Sequence, residues 1–514
     1  MPTRETPVVI AGGGAVGLVA SILLSQAGIE HLLLETRLHA STHPKARGIS
    51  ARSMEILRRI GVEDQVRAAG LPADHVAMYR GASLIDPAFV RTTVDADPRR
   101  VITPSPGVIC SQDVLEALLA DKARQEGGDQ IRFGQTLFSF DQHRDGVRSL
   151  VKDAANQQIW EVESRYLVGC DGARSTIRQN CNVPMDGQNG LGHFTSVRFN
   201  APLAQVVADR VSASYFLTPP ARGGFMAIDN DSHWIYQYPF DPTVEDPASF
   251  DEHQWIALIR AAVGIDDLEV AVLDIMDWRM DACLATTYRA DQVLLAGDAA
   301  HLTPPTGGHG MNLGIGDADN LAWKLAAVLS GQAKTALLDT YQTERRPIAA
   351  QIINIATDNA RARGGYRFDD ELLLSATYVS TAVITADTGA GSHLNPDGYT
   401  PGAHPGQRLP HIWLPGSAQA QSTLDLIGIG FVLLHGPTAA QHWQHETSQA
   451  ARHGLPINDH PLPAQQQWHA FARLCALTET GALLVRPDGH IAWRTDVTPE
   501  QGTLTPLLNA LLGN

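Results

Sequence analysis

A glycine-rich turn near the start of the chain could hold the phosphates of a dinucleotide. Gly12, Gly14 and Gly17 follow an uninterrupted apolar run. In such a turn the first glycine permits a tight bend, the second lets the backbone approach a pyrophosphate, and the third allows close helix–strand packing. A helix beginning at Ala15 and Val16 would direct its free N–H groups and positive dipole end at the phosphates.

An acidic residue stands where a ribose hydroxyl would need it. Glu35 ends the second predicted strand, at the spacing from the turn that dinucleotide sites require. Its carboxylate argues against a 2′-phosphate, because two anions would meet there. Arg37 alone could suggest NADP, or could be an ordinary surface charge. Beside Glu35, however, Thr36 and Arg37 favour contact with the adenosine of FAD.

A second signature lies far downstream, where another apolar run ends in Gly297-Asp298. The Asp298 carboxylate could accept hydrogen bonds from a ribityl chain. A loop rich in proline and glycine then leads through Gly310 into a helix, and the backbone N–H groups of Met311 and Asn312 would stabilise negative charge on a reduced flavin. The alternative is a helix-capping Asp298 followed by an ordinary loop. Two signatures favour a long dinucleotide held at both ends, which fits FAD better than NAD.

A third candidate begins at Asp171, in the run Asp-Gly-Ala-Arg-Ser-Thr-Ile-Arg. A strand again enters a turn with a helix behind it. Arg174 and Arg178 lie one helical turn apart and could meet a phosphate or a carboxylate. The alternative is a helix start stabilised by ion pairs.

The bulk composition excludes several kinds of partner. The chain has 514 residues, too many for a single core, so two or three domains are expected. The formal charge of −16 argues against nucleic acid or an anionic membrane surface. Its five cysteines are scattered without a Cys-x-x-Cys pair, so neither a disulfide framework nor a zinc site is expected. With no secretory signal and no apolar run long enough for a bilayer, a cytoplasmic location is predicted.

The elements that must position these residues form an α/β protein. The start of the chain predicts a strand–helix–strand unit, and the segment around Trp234–Tyr238 alternates as in an antiparallel sheet covered on one face. A separate module near the C-terminus contains a hairpin that turns at Arg486-Pro487-Asp488-Gly489. The predicted domains are a discontinuous dinucleotide domain (1–180 and 286–385), a middle sheet domain (181–285), a linker (386–404) and a C-terminal module (405–514).

With these motifs in order, the chain resembles the class A flavoprotein monooxygenases, the para-hydroxybenzoate hydroxylase family. It is most similar to the longer branch that includes phenol hydroxylase, aromatic-polyketide hydroxylases and the rebeccamycin-pathway flavoenzyme. The resemblance implies a Rossmann-like FAD-binding domain, an inserted antiparallel-sheet substrate domain and a C-terminal thioredoxin-like domain. It also implies that Arg47 and Gln112 contact the flavin, and that the Asp171-Gly172 segment serves both FAD and the nicotinamide cofactor.

The reaction implied is hydroxylation of a bulky phenolic or polycyclic aromatic compound by FAD, dioxygen and NADPH or NADH, through a flavin C4a-hydroperoxide. The cofactor carries the hard chemistry, so no catalytic triad and no metal are expected. Pro305 and Gly307 would wall the flavin where the hydroperoxide forms. Two alternative functions remain: a flavin-containing protein that only shelters a reactive aromatic intermediate, and a simple FAD-dependent reductase.

Substrate contacts are predicted on the middle sheet, although a tyrosine in a sheet is more often packing. The candidates are Tyr215, Arg222, Phe225, Met226, Tyr236 and Tyr238. A proline- and glycine-rich loop at 219–224 suggests a large substrate of low charge. The expected partners are this aromatic substrate and dioxygen, with no nucleic acid or membrane, and a homodimer remains open. The C-terminal module, with Cys475 as its single thiol, should be redox-silent.

Overall fold

A computed structural model describes residues 3–72, 78–91, 101–362, 369, 371–385, 391–395, 397–414, 421–455, 457–462 and 466–514. Among these residues, no helix combines the length and apolar character needed to cross a membrane.

The strands lie in two large sheets and several smaller ones. They are β1 Thr3–Ala11, β2 His31–Glu35, β3 Gly48–Ile49, β4 Met78–Gly81, β5 Val90–Arg91, β6 Val108–Ile109, β7 Ile131–Phe133, β8 Gln135–His143, β9 Gly146–Asp153, β10 Ile159–Gly169, β11 Met185–Asn200, β12 Ser214–Leu217, β13 Gly224–Ala227, β14 His233–Phe240, β15 Ala271–Ala285, β16 Arg289–Ala290, β17 Val293–Leu295, β18 His301–Leu302, β19 Trp413–Leu414, β20 Gln421–Ser422, β21 Phe431–His435, β22 Ile457–Pro461, β23 Ala482–Val485 and β24 Ile491–Thr495.

The helices are distributed over the whole chain. They are α1 Ala15–Gln26, α2 Ala51–Arg59, α3 Glu63–Ala69, α4 Gln112–Gly127, α5 Thr176–Asn180, α6 Glu252–Val263, α7 Gly310–Leu329, α8 Asp339–Arg361, α9 Ala440–Arg452, α10 Gln466–Cys475 and α11 Leu504–Leu511. As predicted, α1 begins at Ala15, directly after the glycine-rich turn, and α7 follows the loop rich in proline and glycine.

The first large sheet brings the three sequence signatures together. Its strand order is β16-β17-β10-β1-β2-β7, and the run from β17 to β7 is parallel. Ala11 therefore aligns with both Leu34 and Gly169, and Gly169 aligns with Leu295. Because the carboxyl ends of these strands share one edge, the turns that follow them meet at the position where α/β sheets bind ligands.

The second large sheet has the order β18-β15-β11-β14-β13-β12-β4-β5. Its pairs are antiparallel except β12 with β4. One face packs on α6 in an aromatic core that includes Trp234 and Trp255. The predicted range 181–285 was too narrow for this sheet, because β4, β5 and β18 come from outside it. These three strands have two to four residues each, too short for a periodic pattern to reveal.

The C-terminal part contains a four-stranded sheet in the order β22-β21-β23-β24. β21 pairs with β22 in parallel, and the other two pairs are antiparallel. The predicted linker needs correction, because several of its described residues are packed in the protein interior. Leu394, Tyr399 and Ala403 are all buried, so this stretch adds to the core although its composition is typical of a loop.

Candidate active site

A cavity of about 2280 Å³ is lined by residues of both large sheets. Sites for single small molecules rarely exceed roughly 1000 Å³. The cavity therefore has room for a dinucleotide and a second ligand side by side.

The first end of the cavity fits a pyrophosphate. Gly12 and Gly14 line it, and α1 begins there without a side-chain cap from any described residue. A side chain at Gly12, where φ is +111°, would collide with the Cys170 carbonyl oxygen. Gly17 does not line the cavity; a side chain there would collide with the Gly12 carbonyl oxygen. The glycines thus keep α1 close to the sheet and leave its N–H groups facing the cavity, where phosphates would bind.

Glu35 lies beside this turn in an ionised, fixed position. Its carboxylate accepts hydrogen bonds from the Gly13 N–H at 2.6 Å and from Nε and the backbone N–H of Arg37 at 2.8 and 2.9 Å. Burial raises the pKa of Glu35, but hydrogen bonds from Arg37 outweigh burial and hold that pKa below its ordinary value. Glu35, Thr36 and Arg37 all line the cavity. A fixed anion there disfavours a 2′-phosphate.

The other end offers groups for a ribityl chain and a flavin ring. Asp298 lines the cavity, and its carboxylate has no hydrogen bond to a described residue. The Asp298 side chain is exposed to the cavity, and desolvation by the surrounding protein raises the pKa of this carboxyl. The Oγ1 of Thr303 is buried without a partner among the described residues. The α7 N-terminus at Gly310 and Met311 completes this end.

Two residues predicted near the flavin support the loop instead of lining the cavity. Asn312 accepts a hydrogen bond from the Ser50 N–H at 2.9 Å and donates to the Gly48 carbonyl at 2.9 Å, which ties α7 to the start of α2. Gly307 has a φ of +123° and leaves room for no side chain beside the His309 ring. Burial lowers the pKa of His309 to about 4, so the imidazole is neutral at physiological pH. Pro305 does line the cavity.

Two further predicted cofactor contacts, Arg47 and Gln112, line the cavity and also make hydrogen bonds that hold the fold. The Arg47 guanidinium donates to the carbonyls of Ala213 and Ala227 at 2.8 and 2.7 Å, joining the loop before α2 to the second sheet. Gln112 accepts from the Ala46 N–H at 3.2 Å.

Asp171 and the two arginines that follow it take separate roles. The Asp171 carboxylate accepts from the Ser175 hydroxyl at 2.5 Å and the Ile177 N–H at 3.1 Å, as a cap on α5. Arg178 is buried and donates to the Ala299 carbonyl at 3.2 Å. Only Arg174 of the pair is exposed, at the cavity wall. The two arginines therefore do not form a joint anion site.

Most of the predicted substrate contacts lie elsewhere. Tyr215, Tyr236 and Tyr238 are almost fully buried in the aromatic core on the opposite face of the second sheet. Phe225 reaches the cavity wall, but its ring stacks on Tyr236 at a centroid distance of 5.1 Å. Arg222 is exposed outside the cavity and pairs with Glu245 at 2.5 Å. Successive side chains of a strand point to opposite faces of the sheet. The aromatic residues predicted in these strands lie on the face that packs in the core, not on the cavity face.

The cavity face carries residues that the sequence reasoning missed. Phe194 and Trp278 stack with their ring centroids 4.5 Å apart and their planes at 11°. Ser196 and Gln237 line the same face, next to the one correctly placed candidate, Met226. Further lining residues are Met78, Phe216, Met276 and Met280. A usable signal was present, because Met276, Trp278 and Met280 occupy alternate positions of one strand.

The carboxyl edge of the first sheet can bind a dinucleotide, and the second sheet closes the cavity beside it, which is the arrangement expected of a flavoprotein hydroxylase. The chain matches the FAD binding domain family over residues 5–356 and the aromatic-ring hydroxylase C-terminal family over residues 402–514. It belongs to this family of FAD-dependent aromatic monooxygenases. The family and cofactor predicted from the sequence are thereby confirmed.

The match to individual relatives extends over the whole chain. Tetracenomycin A2 monooxygenase-dioxygenase of Streptomyces glaucescens is 36% identical over 100% of this chain and 98% of its own. The solved ternary complex of aklavinone-11 hydroxylase with FAD and aklavinone has a TM-score of 0.90 and 33% identity, with full coverage of both chains. The rebeccamycin biosynthetic enzyme RebC with reduced flavin has a TM-score of 0.83 and 32% identity, again over both full chains.

Proposed function

We propose that this enzyme uses NADPH or NADH and dioxygen to hydroxylate a planar polycyclic phenol. The observation that carries the proposal is the cavity of about 2280 Å³, whose substrate side is walled by the stacked rings of Phe194 and Trp278. A flat aromatic substrate stacks favourably on such a wall. The tetracenomycin and aklavinone enzymes among the relatives support a substrate of this shape.

The chain's own residues would bind, orient and shield. Bound FAD supplies the redox chemistry that activates dioxygen. The N–H groups at the start of α7 would stabilise negative charge on the ring. Asp298 would accept hydrogen bonds from the ribityl hydroxyls, and Pro305 would limit access of water to the ring. The methionines of the second sheet keep the substrate side apolar, which favours a dry pocket.

We also propose that the C-terminal module is a thioredoxin-like domain. The C-terminal module runs β21-α9-β22-α10-β23-β24-α11, with one parallel and two antiparallel strand pairs. This order supports a thioredoxin-like fold. Its single thiol, Cys475, is buried, and burial raises the pKa of that thiol, so it is unsuited to redox exchange. The second sheet serves as the inserted substrate domain, and five free cysteines support a cytoplasmic location.

An isotope experiment tests the reaction. The FAD-loaded enzyme is supplied with NADPH or NADH, ¹⁸O₂ and a panel of hydroxylated anthraquinones and single-ring phenols. We expect a polycyclic member to accelerate NAD(P)H oxidation and to gain one labelled oxygen atom for each reduced nucleotide consumed. Tight binding without stoichiometric product would instead favour the sheltering protein, and turnover indifferent to dioxygen would favour a reductase. Faster turnover of single-ring phenols would refute the polycyclic assignment.

A further inference from the structure

The cavity face of the second sheet carries a side-chain amide whose orientation is fixed by its neighbours. We propose that Gln237 is a substrate-binding residue whose amide nitrogen donates a hydrogen bond to an oxygen of the aromatic substrate, a quinone or ketone carbonyl or a phenolate. The inference rests on the proposed function and specifies the chemistry that the substrate must present.

The Trp278 indole determines which end of the Gln237 amide faces the cavity. The indole N–H of Trp278 can only donate, and it lies 3.2 Å from Oε1 of Gln237 and 3.0 Å from Oγ of Ser196. Because the Ser196 hydroxyl accepts from the indole, its own proton is free to point at Oε1, 2.9 Å away. A flipped amide would set an N–H group against the indole N–H of Trp278, which cannot accept a hydrogen bond. The oxygen is therefore held by Trp278 and Ser196, and the nitrogen must point the other way.

The amide nitrogen has donor capacity to spare. Its contact among the described residues is Sδ of Met226 at 4.0 Å, and a thioether is a weak acceptor. An amide nitrogen carries two N–H donors, so at least one is available to a ligand. Gly224 lies directly opposite Gln237 in the neighbouring strand and brings no side chain into this space. Gln237, Met226 and Gly224 all line the cavity, so a ligand oxygen can reach the donor.

An aromatic wall lies one row away on the same face. Phe194 pairs with Trp278 across β11 and β15, two residues from Ser196, which itself pairs with Gln237. A planar ring system lying along this wall would bring an oxygen on its edge to the amide. A ligand with only N–H donors at that edge would leave the Gln237 amide unpaired in an apolar cavity, at the cost of its desolvation. The site therefore selects for acceptor oxygens.

Binding to the oxidised FAD-loaded enzyme tests the inference without relying on turnover. The probes are 1,8-dihydroxyanthraquinone, which carries oxygen acceptors, and 2-aminoanthracene, which carries no oxygen. Gln237→Glu keeps the acceptors that face Trp278 and Ser196 but replaces the amide donor with an acceptor. Gln205→Glu makes the same change of charge at an exposed position of the same part of the chain. Perturbation of the flavin spectrum reports Kd at pH 8.

We expect Gln237→Glu to raise Kd for the quinone at least about 10-fold, the factor that matches loss of one hydrogen bond. Its effect on the Kd of 2-aminoanthracene should be several-fold smaller, and Gln205→Glu should match the wild type. Gln237→Leu, which removes donor and acceptors, should also lose the preference for the quinone. Equal quinone affinity in the wild type and both Gln237 variants would overturn this inference and leave the proposed function intact. Failure of the wild type to bind either probe would overturn both.

Discussion

The C-terminal hairpin turn is buried against the FAD-binding part of the chain, and removing one of its charges should destabilise the protein strongly. Arg486 is fully buried, and its guanidinium donates to both carboxylate oxygens of Glu344 in α8, at 2.7 and 2.8 Å. It also pairs with Asp488 in its own turn. Lys324 of α7 contacts Glu344 at 2.8 Å. Two buried cations thus neutralise two buried carboxylates.

Arg486→Met keeps a long apolar side chain and removes one cation. The Asp488 and Glu344 carboxylates then share Lys324 as the remaining cation of this group. Removing one partner of a buried ion pair costs about 3–5 kcal/mol. At roughly 2–4 °C for each kcal/mol in a domain of 150–250 residues, the unfolding midpoint should fall by about 6–20 °C. Arg124→Met, which removes an exposed pair with Asp121, should cost at most about 1 kcal/mol.

The assay is thermal unfolding of the FAD-loaded enzyme, followed by flavin fluorescence and by circular dichroism. Because several domains can unfold separately, the first transition is the one to compare. A double variant, Arg486→Met with Glu344→Gln, removes one charge of each sign and should recover part of the loss. If Arg486→Met lowers the midpoint no more than Arg124→Met, the buried turn does not hold the two parts together and this reasoning is wrong.

Three single substitutions, at Asp298, Cys475 and His309, test further parts of the structure. Asp298→Ala should weaken FAD retention at least about 10-fold without changing the circular dichroism spectrum, since it removes ribityl acceptors; unchanged retention on gel filtration would contradict the placement of that end of the cofactor. Cys475→Ser should keep turnover close to the wild type, and its loss with folding and FAD content intact would reveal chemistry in the C-terminal module. Because the folded pKa of His309 is about 4 and the unfolded value near 6.5, the unfolded state binds more protons between them. Stability should therefore fall as pH drops from 6.5 towards 4, and less steeply in His309→Gln; equal slopes in urea titrations would refute this.

The cofactor end was predictable because its signals are local. An apolar run, a glycine turn and a helix start are all determined by residues close in sequence, as at Gly12 and Ala15. Parallel pairing then brings Asp298 and Glu35 to the same edge without further information. The hydrogen-bond partners of the Arg47 side chain could not be foreseen, since Ala213, Ser214 and Ala227 lie far away in the chain.

The substrate end was not predictable in the same way. In β14, Trp234, Tyr236 and Tyr238 alternate with Ile235 and Gln237, so both faces carry large side chains. Sequence alone does not say which face α6 will cover. The helix packs on the tryptophan and tyrosine face, and Gln237, which lacked any local motif, becomes the polar group facing the cavity.

Helix α7 links the cofactor end to the C-terminal module. Its first turn lines the cavity at Gly310, while Asn320 and Trp323 further along donate to the Asp488 carboxylate at 3.2 and 3.3 Å. At 1.5 Å per residue, Asn320 lies only about 15 Å along the helix axis from Gly310. A helix anchored at that distance cannot tilt its N–H groups away from the cavity without breaking these buried bonds. The module therefore stabilises the orientation of the helix that would face the flavin, which is a structural role that requires no redox chemistry of the module.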